Sequence, residues 1–431
     1  MAFISSSRPG MWPERLRQAA LVAALLVPLG LLHAFVLAEI GIGAVDVLFL
    51  AECARRRDFS WMRQGWVVLA LLWWGWLLLC STPLPLAGFG VAGWGKGFVQ
   101  AFVVIRLLLF TAALQNWVLT TQGAQRAAWW ALALCAAWIG LESWQQYLTG
   151  RNIFGNPRWA DGALTGPFWK PRAGALFSHL LYPALLPPVL ALLTRPSRDA
   201  RLGGLALAVL GVLTSVLIGQ RMGVALTGFG LAVAALFVRQ LRIIAVAAFA
   251  VAALAVALTP IISPPTYAKL VQETAKNLDH FLLSPYGELY TRAAAMTLQS
   301  PWHGWGYNGF RVTCPLPRFD GGFPSLGIAP TQLGLGACNL HPHNYYMQAL
   351  TDAGFPGLLL FVALALSWLR ALGTGLWRQP EPLRLGLFIA VLTYLWPIGS
   401  TDAFPVLYML GWLFLLLGFG LALAPGRARH G

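Results

Sequence analysis

Three side chains in this sequence have the type and setting for chemistry on a polar substrate: His343, Arg221 and Arg292. His343 lies in "HPHN", residues 341–344, where a long apolar helical run begins. The pattern predicts Asn344 as the helix N-cap. That puts an imidazole at the end of a rigid element, within reach of solvent. A neutral imidazole accepts a proton near pH 7, as a general base for a hydroxyl must. Two other readings compete. One is a His-x-His metal site completed by His280 and His303, but metal sites use three or four ligands and this spacing does not supply them. The other is a structural histidine that serves loop carbonyls.

Arg221 opens an apolar helix after the short turn "LIGQ". A cation at a helix N-terminus opposes the macrodipole. The cost is offset if the guanidinium and the exposed N–H groups bind an anion together. The competing reading is an interfacial arginine that snorkels toward water. Arg292 falls on an expected helix over 287–299, just before the Trp- and Gly-rich turn "SPWHGWGYNGF". Taken alone it reads as a surface residue. The carboxylates expected on the same side are Asp161, Glu273, Asp279, Glu288, Asp320, Asp352 and Asp402, with no Asp-x-Asp pair among them. Neither metal nor cofactor is therefore expected, and arginine is the group left to neutralise a phosphate.

The elements that position these residues follow from composition. The chain has 431 residues, 58% hydrophobic and 10% charged, with a mean hydropathy of +0.66. Such values describe an all-α polytopic membrane protein. About twelve spans of the required length are expected, at 18–33, 34–52, 65–81, 98–119, 127–148, 176–194, 202–219, 222–238, 242–262, 343–370, 383–399 and 404–424. The first two are short for separate helices. The N-terminal apolar run has no small-residue cleavage site and reads as a retained span.

The net charge of +15 does not call for nucleic acid, because most of it is topological. With both termini in the cytoplasm, arginines cluster in the short inner loops, as the positive-inside rule requires: Arg8, Arg55 to Arg57, Arg195, Arg239, Arg427 and Arg429 are examples. The outer loops still keep a surplus of cations, which points to an anionic ligand, phosphate first. Arg158, Lys170 and Arg172 in the basic outer loop 149–175 are expected to bind it. His341, Asn344 and Tyr345, beside the base, are expected to touch substrate as well. Within spans, Glu39, Asp46 and Arg106 are costly. They either pair with one another or mark a transporter's charge relay, and pairing is the cheaper explanation.

The expected organisation is a membrane domain, 1–262 and 343–431, with a folded outer loop domain over 263–342 inserted into it. Cys314 and Cys338 both fall in that loop. In an oxidising compartment they can pair, which would stabilise the loop by about 3 kcal/mol on chain-entropy grounds. Cys53, Cys80 and Cys135 read as small apolar fillers.

Three segments together carry a family resemblance. His343-Asn344 followed by Gly354-x-x-Gly357 resembles the signature of bacterial O-antigen ligases and the related O-antigen polymerases. "QRMGVALTG" around Arg221 is similar to that family's short outer motif with its arginine, although Gln220 stands where Ser is frequent. "YTRAAAMTLQSPWHGWGYNGF" resembles the second arginine motif, with Pro301, Gly304 and Gly306 in the turn. The resemblance implies a metal-independent, inverting glycosyltransferase of the C-type membrane architecture in the bacterial inner membrane. It would move O-antigen from undecaprenyl pyrophosphate to lipid A–core at the periplasmic face. His343 would then activate the acceptor, and Arg221 and Arg292 would hold the leaving pyrophosphate. An O-antigen polymerase and a protein O-oligosaccharyltransferase remain open within the same family. A polysaccharide or lipid transporter is the alternative of another class.

Overall fold

The computed structural model describes residues 11–82, 94–319, 321, 338, 341–399, 404 and 407–425. Arg8, Asp320, Asp402, Arg427 and Arg429 lie outside the described residues. Among those described the chain is helical, and one isolated bridge, Arg151 to Pro157, is the sole β contact. Each expected span coincides with helix. Six helices are long and apolar enough to cross a membrane, and four more apolar helices are shorter.

The first pair shows why 18–52 holds two helices. α1 (Met11–His33) starts well before the apolar run and α2 (Phe35–Arg56) continues beyond it, leaving Ala34 alone as the connection. Glu14 and Arg17 pair at 2.7 Å across one turn and extend α1 at its polar end. Gly30 lets the two helices touch, because a Cβ there would stand 2.5 Å from the Ala38 nitrogen.

After α3 (Gly65–Cys80) the expected span at 98–119 is broken. It comprises α4 (Trp94–Val103), α5 (Ile105–Ala113) and a π turn over Leu114–Val118. Arg106 follows the break and forms a two-pronged ion pair with Glu39 on α2, at 2.6 and 2.8 Å. Pairing is thus what the structure shows for these two. Asp46 is buried on the same helix as Glu39.

The central helix is α7 (Ala173–Leu193), which packs against α6 (Gln122–Thr149), α8 (Arg198–Ile218), α9 (Arg221–Phe237) and α16 (Pro382–Tyr394). α17 (Leu407–Leu423) is buried along nearly its whole length. α10 (Leu241–Ile262) leads into the loop domain, where α11 (Pro264–Tyr267), α12 (Glu273–Asp279), α13 (Pro285–Gln299) and α14 (Gly309–Thr313) follow. α13 begins two residues before the expected start because Ser284 caps it, accepting from the Gly287 N–H at 3.1 Å. This region has its own small core of Leu289, Ala293, Met296, Trp305, Phe310 and Phe319. Cys314 and Cys338 are joined in a disulfide, their Cα atoms 5.7 Å apart. α15 (Tyr345–Gly373) then returns to the membrane region and packs on α3.

Candidate functional site

Asn344 is the N-cap of α15. Its Oδ1 accepts from the N–H groups of Tyr346 at 2.9 Å and Met347 at 3.1 Å, and its Nδ2 donates to the Pro397 carbonyl at 2.6 Å. With the cap fixed in this way, the preceding residue has little freedom. His343 takes a left-handed backbone, φ +53°, a conformation that costs a non-glycine residue about 1–3 kcal/mol and persists only where the surroundings impose it. His341 helps to impose it, since its Nδ1 accepts the His343 N–H at 3.2 Å. The two imidazoles meet edge to face at 4.2 Å, and Tyr286 on α13 stands against His343 at 5.6 Å. His343 is half-buried and reachable; His341 is buried.

α13 therefore forms one wall around the histidine. Tyr290, one turn after Tyr286, hydrogen-bonds the Asn344 side chain, while burial pushes its phenol above the ordinary value. Arg292 lies on the same helix. It is 3% exposed, so the surface position expected from its neighbours alone is corrected. Its Nη1 donates to the Cys314 carbonyl at the end of α14. Glu288, one turn before it, has its carboxyl raised by burial, with the Arg292 charge opposing.

The turn after α13 locks onto a break in α15. Gly354 (φ +66°, ψ −170°) interrupts that helix. The carbonyls freed there need donors. Trp305 N–H donates to Thr351 O at 2.8 Å, Gly306 N–H to Asp352 O at 2.9 Å, and the Trp76 indole to Ala353 O at 2.8 Å. In return, Phe355 N–H donates to the Pro301 carbonyl at 2.8 Å. The Asp352 carboxylate is fully buried and accepts from the Asn308 N–H at 3.1 Å and the Gln348 amide at 2.8 Å, with the Gly309 and Phe310 N–H groups also turned to it. It caps α14, whose far end holds Arg292. Gly304 and Gly354 make the approach possible, since a Cβ at either would lie 2.5 Å from the opposing backbone. The Pro-x-x-Gly-x-Gly and Gly-x-x-Gly motifs are thus two halves of one joint.

Arg221 sits elsewhere. It starts α9 and pairs with Glu273 on α12 at 2.6 Å. Gln220 fixes this helix start through its side chain: Oε1 accepts from the Ala175 N–H at 3.0 Å and Nε2 donates to Pro171 O. That tie connects α9 to the basic loop. The loop is rigid, because Gln146 bonds the carbonyls of Asn156 and Pro157 and both the N–H and the hydroxyl of Thr165. Arg158 bonds Ser263 at 3.0 Å and lies over Tyr147, with burial depressing its basicity. Lys170 lies over Trp169, and Arg172 over Tyr408 and Phe35.

The structure therefore gathers His341, His343, Asn344, Tyr286 and Tyr290, with Arg292 on the same helix as the tyrosines. It places Arg221 with Glu273 and the basic loop. Tyr345 turns into the core, 2% exposed and stacked on Phe404 at 5.1 Å. Sequence reasoning missed Tyr286 and Tyr290, whose i, i+4 spacing was the available signal. It also missed the structural part played by Asp352.

An all-helical membrane protein with a histidine at one helix end and arginines on the flanking elements is the class that fold and site define. Residues 206–362 match the family model described as O-antigen ligase. The matched stretch contains Arg221, Arg292 and His343 together, so the chain carries an O-antigen ligase family region, and the resemblance read from the motifs holds there. That regional match, with the apolar helices, supports a multi-pass inner-membrane protein of glycosyltransferase-like type, with lipid-linked glycans of O-antigen biosynthesis as the substrate class. No curated protein matches the chain.

Proposed function

We propose that this protein is an O-antigen ligase, transferring O-antigen from undecaprenyl pyrophosphate to lipid A–core at the periplasmic face of the inner membrane. The reading keeps the twelve-span arrangement with cytoplasmic termini and residues 263–342 as a periplasmic domain. The observation that carries it is that one family match spans both arginines and the histidine, while α13, which carries Arg292, sets Tyr286 against His343.

In this mechanism His343 removes the proton from the acceptor hydroxyl as that oxygen attacks the anomeric carbon. The bond to the pyrophosphate oxygen breaks, and a single displacement inverts the centre. Charge gathers on the leaving oxygen, and Arg221 and Arg292 stabilise it with planar guanidinium forks. Arg292 must turn part of its hydrogen bonding from Cys314 O toward donor, and Arg221 must leave Glu273. Arg158, Lys170 and Arg172 form the donor's approach. His341 and Asn344 hold the base in place, and Tyr345 acts through packing.

The test is the lipopolysaccharide pattern of a strain lacking the protein. Core without polymer, together with accumulated lipid-linked polymer, is the expected result. Core capped by a single repeat unit would assign a polymerase instead. Unchanged lipopolysaccharide would overturn the proposal.

A further inference from the structure

The segment between α10 and α13, residues 264–283, is amphipathic, but it faces the wrong way for a soluble loop. Two of its four charged side chains are tied to the protein: Lys269 pairs with Asp161 of the basic loop, and Glu273 pairs with Arg221. Its large apolar side chains turn outward. Leu278 is 70% exposed and Leu283 72%, with Phe281 and Leu282 exposed beside them. In water the opposite arrangement is favoured, and a contiguous apolar patch of this kind marks a surface with a partner.

Both ends of the segment are held where helices enter the apolar region. At one end, Ile261 and Ile262 close α10 and are themselves exposed, so the outward apolar surface continues from that helix into the segment. At the other end, the 3₁₀ turn over Phe281–Leu283 packs under α13. The Phe281 ring meets Tyr290 at 6.1 Å, and Tyr286 stands against His343 at the start of α15. A segment that runs on from the end of an apolar helix and packs under α13 beside the start of α15, with apolar side chains outward and two ion pairs inward, has the pattern of an element lying on a lipid surface. Lys276, Asp279 and His280, also exposed, are the polar groups left at headgroup level.

The geometry points to an interfacial element: residues 264–283 lie in the outer leaflet, with Leu278, Phe281, Leu282 and Leu283 among the acyl chains. The bilayer then holds α12 in place, and α12 presents Glu273 to Arg221. A lipid-borne substrate entering from that leaflet would reach this element before it reaches Arg221. The inference concerns membrane contact and does not depend on the transfer reaction.

The experiment uses the full chain in nanodiscs of phosphatidylethanolamine and phosphatidylglycerol, spin-labelled at Leu278→Cys, Leu283→Cys or, as the polar control, Lys276→Cys. The free cysteines Cys53, Cys80 and Cys135 are buried. Collision rates with oxygen, which concentrates in lipid, are compared with those of a water-soluble nickel chelate. Labels at 278 and 283 should favour oxygen severalfold, and the label at 276 should favour nickel. Nickel dominating at 278 and 283 would place the patch in water and overturn the inference. Protection from both reagents would overturn it as well, by placing a second copy of the chain there. The two apolar sites are independent, so one poorly folded variant leaves the other to decide.

Discussion

The two arginines sit in opposite kinds of surroundings. Arg292 is buried, bonded to a backbone carbonyl, and carried on a helix that α14, the Pro301–Gly306 turn and a disulfide brace from several sides. Arg221 is partly exposed and its partner is a half-exposed carboxylate on a short helix. A buried, charge-assisted bond is expensive to break. An exposed ion pair contributes little and exchanges readily. Two cations proposed to serve one pyrophosphate are therefore unequal: one belongs to a preset frame, and the other is released by an incoming anion. Preorganisation lies on the histidine side, and adjustability on the side facing the basic loop.

The largest expected effect tests the frame itself. His343→Ala should lower initial transfer by about a hundredfold to ten-thousandfold, the range for losing a general base, at unchanged expression and disulfide content. His341→Ala should be milder, because it removes a backbone contact and leaves the base. Transfer at the wild-type rate by purified His343→Ala protein would remove the histidine from the chemistry.

Next come the arginines. Arg221→Ala and Arg292→Ala should each reduce transfer about tenfold to a thousandfold, as for loss of one preorganised donor. Stability should separate them. Arg292→Ala loses a buried charged hydrogen bond, about 1.5–3 kcal/mol, and should melt earlier, whereas Arg221→Ala should melt as wild type. Equal melting temperatures for the two would erase the contrast between them.

A smaller effect is expected at the joint. Asp352→Ala leaves the Asn308 N–H and the Gln348 amide without their acceptor and should destabilise by about 1–3 kcal/mol. Loosened protease resistance across 300–314 is the readout, and unaltered cleavage there would show that the turn is held by its backbone bonds alone. Smallest of all is Glu273→Gln, which should change stability by less than about 1 kcal/mol. It should also lower the donor concentration needed for half-maximal transfer, since the anion no longer competes with a carboxylate. A raised requirement would mean that Glu273 assists donor binding.

Much of the frame was legible in sequence, and the reasons are local. Apolar length alone located the helices, and Asn344 before a helical run was readable as a cap because its bonds reach only two and three residues ahead. The break at Gly354 was not legible. A glycine within an apolar run carries no mark of the turn, fifty residues earlier, that replaces its hydrogen bonds. The burial of Arg292 was hidden for the same reason, since its acceptor is a carbonyl 22 residues away. The direction faced by residues 264–283 was hidden too, because amphipathic spacing is identical whichever stripe is turned inward. Only the positions of Arg221 and Asp161 decide it.

The pair between Glu39 and Arg106 bears on how the chain is made. α2 carries Glu39 and Asp46, and its cationic partner is synthesised 67 residues later. At about 5–20 residues per second that is a wait of roughly 3–13 s. A helix with two carboxylates within its apolar stretch partitions poorly by itself. α2 is packed as a hairpin with α1 through Gly30 and joined to it by a single residue. Its Glu39 has no Arg106 to pair with until α5 has been synthesised. The ion pair that completes this helix pair is therefore the last part of it to be made.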